Sequence, residues 1–171
     1  RAGATEMSNM VDSFLQLSRS SQGDLHIVPV NLSKLAYDIQ LTLLDKEPDR
    51  RVEFAIKEGI TVDGDQRLLK VMLANLMENA WKYTRHTVEP KIEFGVKNDN
   101  GRSVYYVRDN GAGFDMTFAE RLFVPFSRLH RTEEFEGIGI GLATVHRVLA
   151  RHGGRIWGEG AVGHGATFYF T

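Results

Sequence analysis

Asn75-Leu-Met-Glu-Asn79-Ala-Trp-Lys82-Tyr83 is the stretch on which the reading of this chain turns. Asn75, Asn79 and Lys82 (or Tyr83) recur at intervals of three and four, which on a helix places them on one face. Leu73, Leu76, Met77 and Ala80 take up much of the remaining circumference, and a helix that is apolar on most sides is a buried one. A buried polar group without a partner costs about 1–3 kcal/mol. A buried helix carrying two amides and an ammonium in a line must therefore meet something polar.

Working outward, Asp65 is placed to cap this helix, which predicts it over Gln66 to Tyr83, preceded by a turn at Thr61-Val-Asp-Gly-Asp65. Upstream, Asp24 to Val30 reads as a short strand, with Pro29 marking an edge or an end. Asn31 or Ser33 caps a helix carrying Leu32, Leu35, Ala36, Ile39 and Leu43, which runs to about Leu44; Arg51 to Ile56 then alternates as a strand. Downstream, Lys91 to Lys97 and Arg102 to Arg108 are strands joined by the hairpin sequence Asn98-Asp-Asn-Gly101. A short helix follows around Thr117 to Leu122, then a polar, aperiodic loop over 127–137, of the kind that carries function. A helix from Leu142 to His152 and strands Arg155 to Glu159 and Gly165 to Thr171 complete the chain. This order, strands with hairpins interrupted by helices, predicts the α/β class: a two-layer α/β sandwich with a mixed, mainly antiparallel sheet.

Residues 1–22 stand apart. Met7, Val11, Phe14 and Leu17 follow helical spacing as far as the Ser18-Arg-Ser-Ser-Gln-Gly23 tract, which divides the chain into 1–22 and 23–171. The chain starts at Arg1 inside that pattern and reads as a piece of something longer. Its 21 basic and 22 acidic residues leave a charge of −1, which gives no electrostatic case for nucleic acid or for a membrane surface. The absence of cysteine excludes disulfides and thiolate metal sites and makes the cytoplasm the expected compartment. No apolar run approaches the ~18 residues that cross a bilayer.

Three glycine-rich segments carry chemistry. In Asp109-Asn-Gly111-Ala-Gly113, a carboxylate ends a strand and glycines let the backbone come close to a ligand; an ordinary turn explains it equally well in isolation. In Gly137-Ile-Gly139-Ile-Gly141-Leu142, alternating glycines open a helix and offer amides to an anion. The spacing fits neither a Walker loop nor the dinucleotide fingerprint. In Gly163-His-Gly165-Ala-Thr167-Phe168, the glycines permit close approach of a base and Thr167 offers a hydroxyl, although a turn before a strand also accounts for it.

Taken in order, these motifs resemble the ATP-binding catalytic domain of sensor histidine kinases, of the Bergerat type, over about residues 24–171. Asn75 to Tyr83 resembles the N box, Asp109-x-Gly111-x-Gly113 the G1 box, Phe123-x-x-Phe126 the F box and Gly137-x-Gly139-x-Gly141-Leu142 the G2 box, and Gly163-x-Gly165-x-Thr167-Phe168 resembles the last glycine box. Phe126 to Arg131 and His152 to Trp157 look particularly like phytochrome-type and related soluble or multi-sensor kinases. The resemblance implies ATP and Mg²⁺ as cofactors. Asn79 is then the metal ligand, Asn75 lies near the phosphates or the metal's waters, Lys82 and Tyr83 contact phosphate, and Asp109 reads the adenine amine. Gly111 and Gly113 hinge a lid, Gly137, Gly139, Gly141 and Leu142 bind phosphate through the backbone, Thr167 lies near the base, and Arg128 and Arg131 in the lid reach the γ-phosphate.

The resemblance also makes 1–22 the end of a dimerisation and phosphotransfer helix. It implies a phosphoacceptor-histidine helix of the same or a partner subunit, a response regulator receiver domain and a homodimer in the full-length protein. No nucleic acid or membrane contact is expected for these residues. None of His26, His86, His130, His146, His152 and His164 has the family's acceptor context, so ATP binding without autophosphorylation is expected. Two alternatives share the motifs: a nucleotide-gated switch with little chemistry, and a gyrase-type hydrolase. The hydrolase is disfavoured because Asn75 stands where hydrolysing relatives carry a glutamate base, and an amide is no base. Glu78 is a poor substitute on a different face.

Overall fold

The structure, a computed structural model, describes residues 23–127 and 139–171. The predicted N-terminal helix lies outside the described residues. Strand β1 (Ile27–Asn31) leads directly into helix α1 (Leu32–Lys46). Asn31 is the cap, its side chain accepting from the Lys34 N–H at 2.9 Å. Ser33, the other candidate, is buried instead, donating to the Lys57 carbonyl (2.6 Å) and accepting from the Ile60 N–H (3.0 Å). It thereby ties the start of α1 to the turn between β2 (Glu53–Ile56) and β3 (Thr61–Asp65).

β3 corrects the predicted turn at 61–65. These residues pair antiparallel with β1, Ile27 opposite Asp65 and Asn31 opposite Thr61, as a separate two-stranded sheet. Asp63-Gly64-Asp65 has turn composition, but Gly64 serves packing: a Cβ there would lie 2.5 Å from Leu69 Cδ1.

Helix α2 spans Gln66–Tyr83 as predicted, with Asp65 as its cap. Asp65 Oδ1 accepts from Leu68 N–H at 3.1 Å, satisfying a donor that the helix start leaves open, and Oδ2 accepts from His26 N–H at 3.2 Å, just ahead of β1. Its interior-facing residues, Leu68, Leu69, Met72, Leu73, Leu76, Met77, Ala80 and Trp81, are buried. α2 is thus the central helix, packed against α1 and against α3 (Gly141–Arg151).

The main sheet has strand order β2-β4-β5-β7-β6, with β4 (Lys91–Asp99), β5 (Arg102–Asp109), β6 (Ile156–Gly160) and β7 (Ala166–Phe170). β2 and β4 are parallel and the other neighbours antiparallel. Asn100 and Gly101, both at positive φ, form the predicted two-residue hairpin turn between β4 and β5. Ile92, Phe94, Val107, Phe168 and Phe170 form the sheet side of the core under the helices. The architecture is the two-layer sandwich that the sequence predicted. The short helix expected around Thr117 to Leu122 is a 3₁₀ helix, Met116–Arg121.

Candidate nucleotide-binding site

The polar face of α2 lies between two glycine-rich segments. At one end, the Asn75 amide nitrogen donates to the Val71 carbonyl at 2.8 Å, which turns its Oδ1 toward Gly141. A Cβ on Gly141 would lie 2.8 Å from that oxygen, so the first residue of α3 meets the N-box amide at close range. The cap residue of α3, Ile140, makes no side-chain capping bond. The helix therefore offers its opening N–H groups and the positive end of its dipole. One turn along α2, Asn79 is half-buried, and no side-chain hydrogen bond involves it among the described residues. Lys82 follows, its ammonium 4.3 Å from the Tyr83 ring centroid. Glu78 is exposed and pairs with Lys46 of α1 at 3.7 Å. It faces α1 while Asn75 faces α3.

At the other end, the Asp109–Gly113 segment closes on the last residue of α2. The Ala112 N–H donates to the Tyr83 carbonyl at 3.0 Å, and a Cβ on Gly111 would collide with that carbonyl. Gly165, at φ 86°, packs equally tightly on the Asp109 carbonyl. These glycines interlock three stretches of backbone: the end of α2, the exit of β5 and the turn before β7. The sequence reading had them make room for a ligand or hinge a lid; in the structure their missing side chains are used by the protein itself.

Asp109 ends β5 on the helix-facing side of the sheet, 6% exposed. Its Oδ1 accepts from Gly111 N–H at 2.9 Å, and the Ala166 N–H also stabilises the carboxylate. Burial outweighs both and pushes its pKa up to about 6. Near neutral pH it is a buried carboxylate whose two backbone donors do not offset its lost hydration, so a further donor would stabilise it.

Thr167 does not join this group. The register sets Asp109 opposite Ala166 and Arg108 opposite Thr167. Side chains alternate across a sheet, so Thr167 lies on the face away from the helices, accepting from Arg108 Nε at 3.2 Å. Ala166 holds the position next to Asp109. Leu142 is half-buried and packs on the core. Gly139 sits at φ 79°, and its carbonyl accepts from Phe126 N–H at 2.9 Å, drawing the F-box end to the G2 segment. Gly137, Arg128 and Arg131 lie outside the described residues, as does His130.

Sequence reasoning also missed Asn110. Its Oδ1 accepts from Lys91 N–H (2.7 Å) and its amide donates to the Glu89 carbonyl (2.8 Å), tying the glycine loop to the connection after α2. Only an Asx residue in the motif hinted at it.

The chain matches the family described as histidine kinase-, DNA gyrase B-, and HSP90-like ATPase over residues 64–171. It is 42% identical over 111 residues to cyanobacterial phytochrome A of Nostoc sp. (strain PCC 7120), a match covering 65% of this chain and 14% of that protein. The chain thus spans a small part of the length of that curated relative. Among solved structures it is similar to full-length ShkA in complex with AMPPNP, with a TM-score of 0.76 at 24% identity, covering 99% of this chain and 36% of that one. It is also similar to histidine kinase ThkA in complex with the response regulator protein TrrA, with a TM-score of 0.73 at 23% identity, covering 98% and 48%. With this fold, these motifs and that match, the chain belongs to the histidine kinase-, DNA gyrase B- and HSP90-like ATPase family.

Proposed function

We propose that this chain is the ATP- and Mg²⁺-binding catalytic domain of a two-component sensor histidine kinase, serving transfer of the γ-phosphoryl group to a histidine on a dimerisation helix. The observation that carries the reading is Asp109: a buried carboxylate with its pKa raised by burial, anchored by Gly111 and Ala166, beside the end of a helix lined with amides.

Asp109 accepts a hydrogen bond from the exocyclic amine of adenine, which restores the solvation its ionised form lost on burial. The uncapped start of α3 and the Gly137, Gly139 and Gly141 amides bind phosphate oxygens. Lys82 offsets phosphate charge, with Tyr83 beside it. Asn79, whose amide is uncommitted among the described residues, holds Mg²⁺ through its oxygen. Among the described residues no group of three acidic or histidine side chains forms a metal cage, which suits a Mg²⁺ ion held by one amide and by phosphates. When bound, the metal neutralises charge on the phosphates. Asn75 orients rather than deprotonates, and Glu78, held toward Lys46, is badly placed to act as base. Arg128 and Arg131 supply positive charge at the transferring group.

The partners we propose are the acceptor helix, of the same or a second subunit in a homodimer, and a receiver domain; the compartment we propose is the cytoplasm. No described helix is long and apolar enough to cross a membrane. The test is to supply an acceptor hairpin in trans with ATP and Mg²⁺. Phosphohistidine on the hairpin, lost in Asp109→Asn and Asn79→Ala, is expected. ATP bound with no phosphate transferred would sink the kinase reading in favour of a nucleotide switch, and rapid phosphate release would revive the hydrolase.

A further inference from the structure

The last turn of α2 is held from outside as well as from the glycine loop. The segment after α1 lays the Arg50 guanidinium over the Trp81 indole, 4.2 Å from its centroid. Arg50 Nη2 donates to the Trp81 carbonyl (2.6 Å) and to Thr84 Oγ1 (3.0 Å), so a cation closes the helix C-terminus. Glu47, the C-cap of α1, accepts from Trp81 Nε1 at 2.9 Å and pairs with Arg85 at 2.7 Å. Phe54 of β2 stacks on the indole at 6.1 Å. On the opposite side, the neighbouring Tyr83 carbonyl is taken by Ala112 and abutted by Gly111. Lys82 sits between the two grips.

Arg50 is a costly choice for stability alone. Its Nη1 is buried without a hydrogen-bond partner, and burial pulls its pKa below the ordinary value although Glu47 pulls it back. An apolar residue of similar volume removes that unpaired donor, and the Trp81 carbonyl keeps the Thr84 hydroxyl as a donor at 3.1 Å, so the exchange costs little stability. The guanidinium does fix a position, because its planar fork meets the helix carbonyl and Thr84 while its face rests on the indole.

We propose that Arg50 is a positioning residue of the nucleotide site: through Trp81 and Thr84 it sets the last turn of α2, and so the placement of Lys82 and of the Tyr83 carbonyl that supports the Asp109–Gly113 loop. This rests on the nucleotide reading above.

The test compares the unaltered chain with Arg50→Met and Arg50→Lys, measuring ATP affinity by calorimetry and thermal unfolding without nucleotide. A Trp157→Phe background isolates Trp81 fluorescence as a reporter. Arg50→Met is expected to unfold within a few degrees of the parent yet bind ATP about tenfold more weakly, with the ATP-induced change in Trp81 emission lost. Arg50→Lys keeps the charge without the fork and is expected to lose about threefold; it carries the test alone if Arg50→Met does not fold. Parent-like ATP affinity and Trp81 response in the variants would overturn the inference while leaving the nucleotide site standing, as would weakening that merely tracks lost stability. Absence of ATP binding by the unaltered chain would overturn the functional reading and this inference with it.

Discussion

Replacing Asp109 with asparagine should stabilise the empty protein and abolish what the site is for. The carboxyl's pKa is raised from 3.8 to about 6, chiefly by burial. At about 1.4 kcal/mol for each pH unit separating the two values, ionised Asp109 costs the nucleotide-free fold about 3 kcal/mol at neutral pH. The sign follows from the direction of the shift. Below the ordinary value the group is protonated whether folded or unfolded and the cost vanishes; as the pH rises through about 6 the native state loses that stability, and above it the loss is level. Asparagine carries no charge at any of these pH values. It keeps an oxygen for the Gly111 N–H but turns a donor toward other contacts, losing about 1 kcal/mol. The net expectation is a gain of about 2 kcal/mol near neutral pH, or about 4–8 °C in Tm for a domain of this size. ATP reverses the order, since saturation at a hundredfold excess over Kd adds about 2.7 kcal/mol to the parent alone. Urea unfolding of both proteins across a pH series, with and without ATP, reads every part of this. The reasoning fails if the variant is the less stable protein in the absence of ATP near neutral pH, or if the gap between the two does not narrow in acid.

Gly111→Ala should destabilise by about 1–3 kcal/mol, because the added methyl meets the Tyr83 carbonyl; a lowered urea midpoint with weakened ATP binding checks it. Asn79→Ala should leave the unfolding temperature nearly unchanged, since its amide is uncommitted among the described residues, while removing the dependence of ATP affinity on Mg²⁺ seen by calorimetry with and without the metal. Thr167→Val should bind ATP within about twofold of the parent, because the hydroxyl serves Arg108 on the far face of the sheet; a large loss would return Thr167 to the site.

Much of the fold was legible because its signals are local. The limits of α2 follow from Asp65 and from an apolar period contained within the helix, and the β4–β5 turn from Asn100-Gly101, which tolerate positive φ. The candidate site was legible as an ordered series of motifs, but less so in its side chains. Thr167 and Ala166 are adjacent in sequence, and both precede Phe168 in a glycine motif. Which of them faces Asp109 depends on how β7 arrives beside β5, and a register step of one exchanges the two faces.

The sequence by itself determined the two-layer class, the central helix and its amide line, because capping, periodicity and turn chemistry act within a few residues of one another. Only the tertiary structure decided that 61–65 is a strand, since it pairs with β1, at the far upstream side of α1 and β2. It also decided that Gly111 and Gly165 serve backbone packing, that Ala166 neighbours Asp109, and that Arg50 grips the end of α2. Each of these depends on which distant segment is brought into contact, and no local stretch of sequence encodes that.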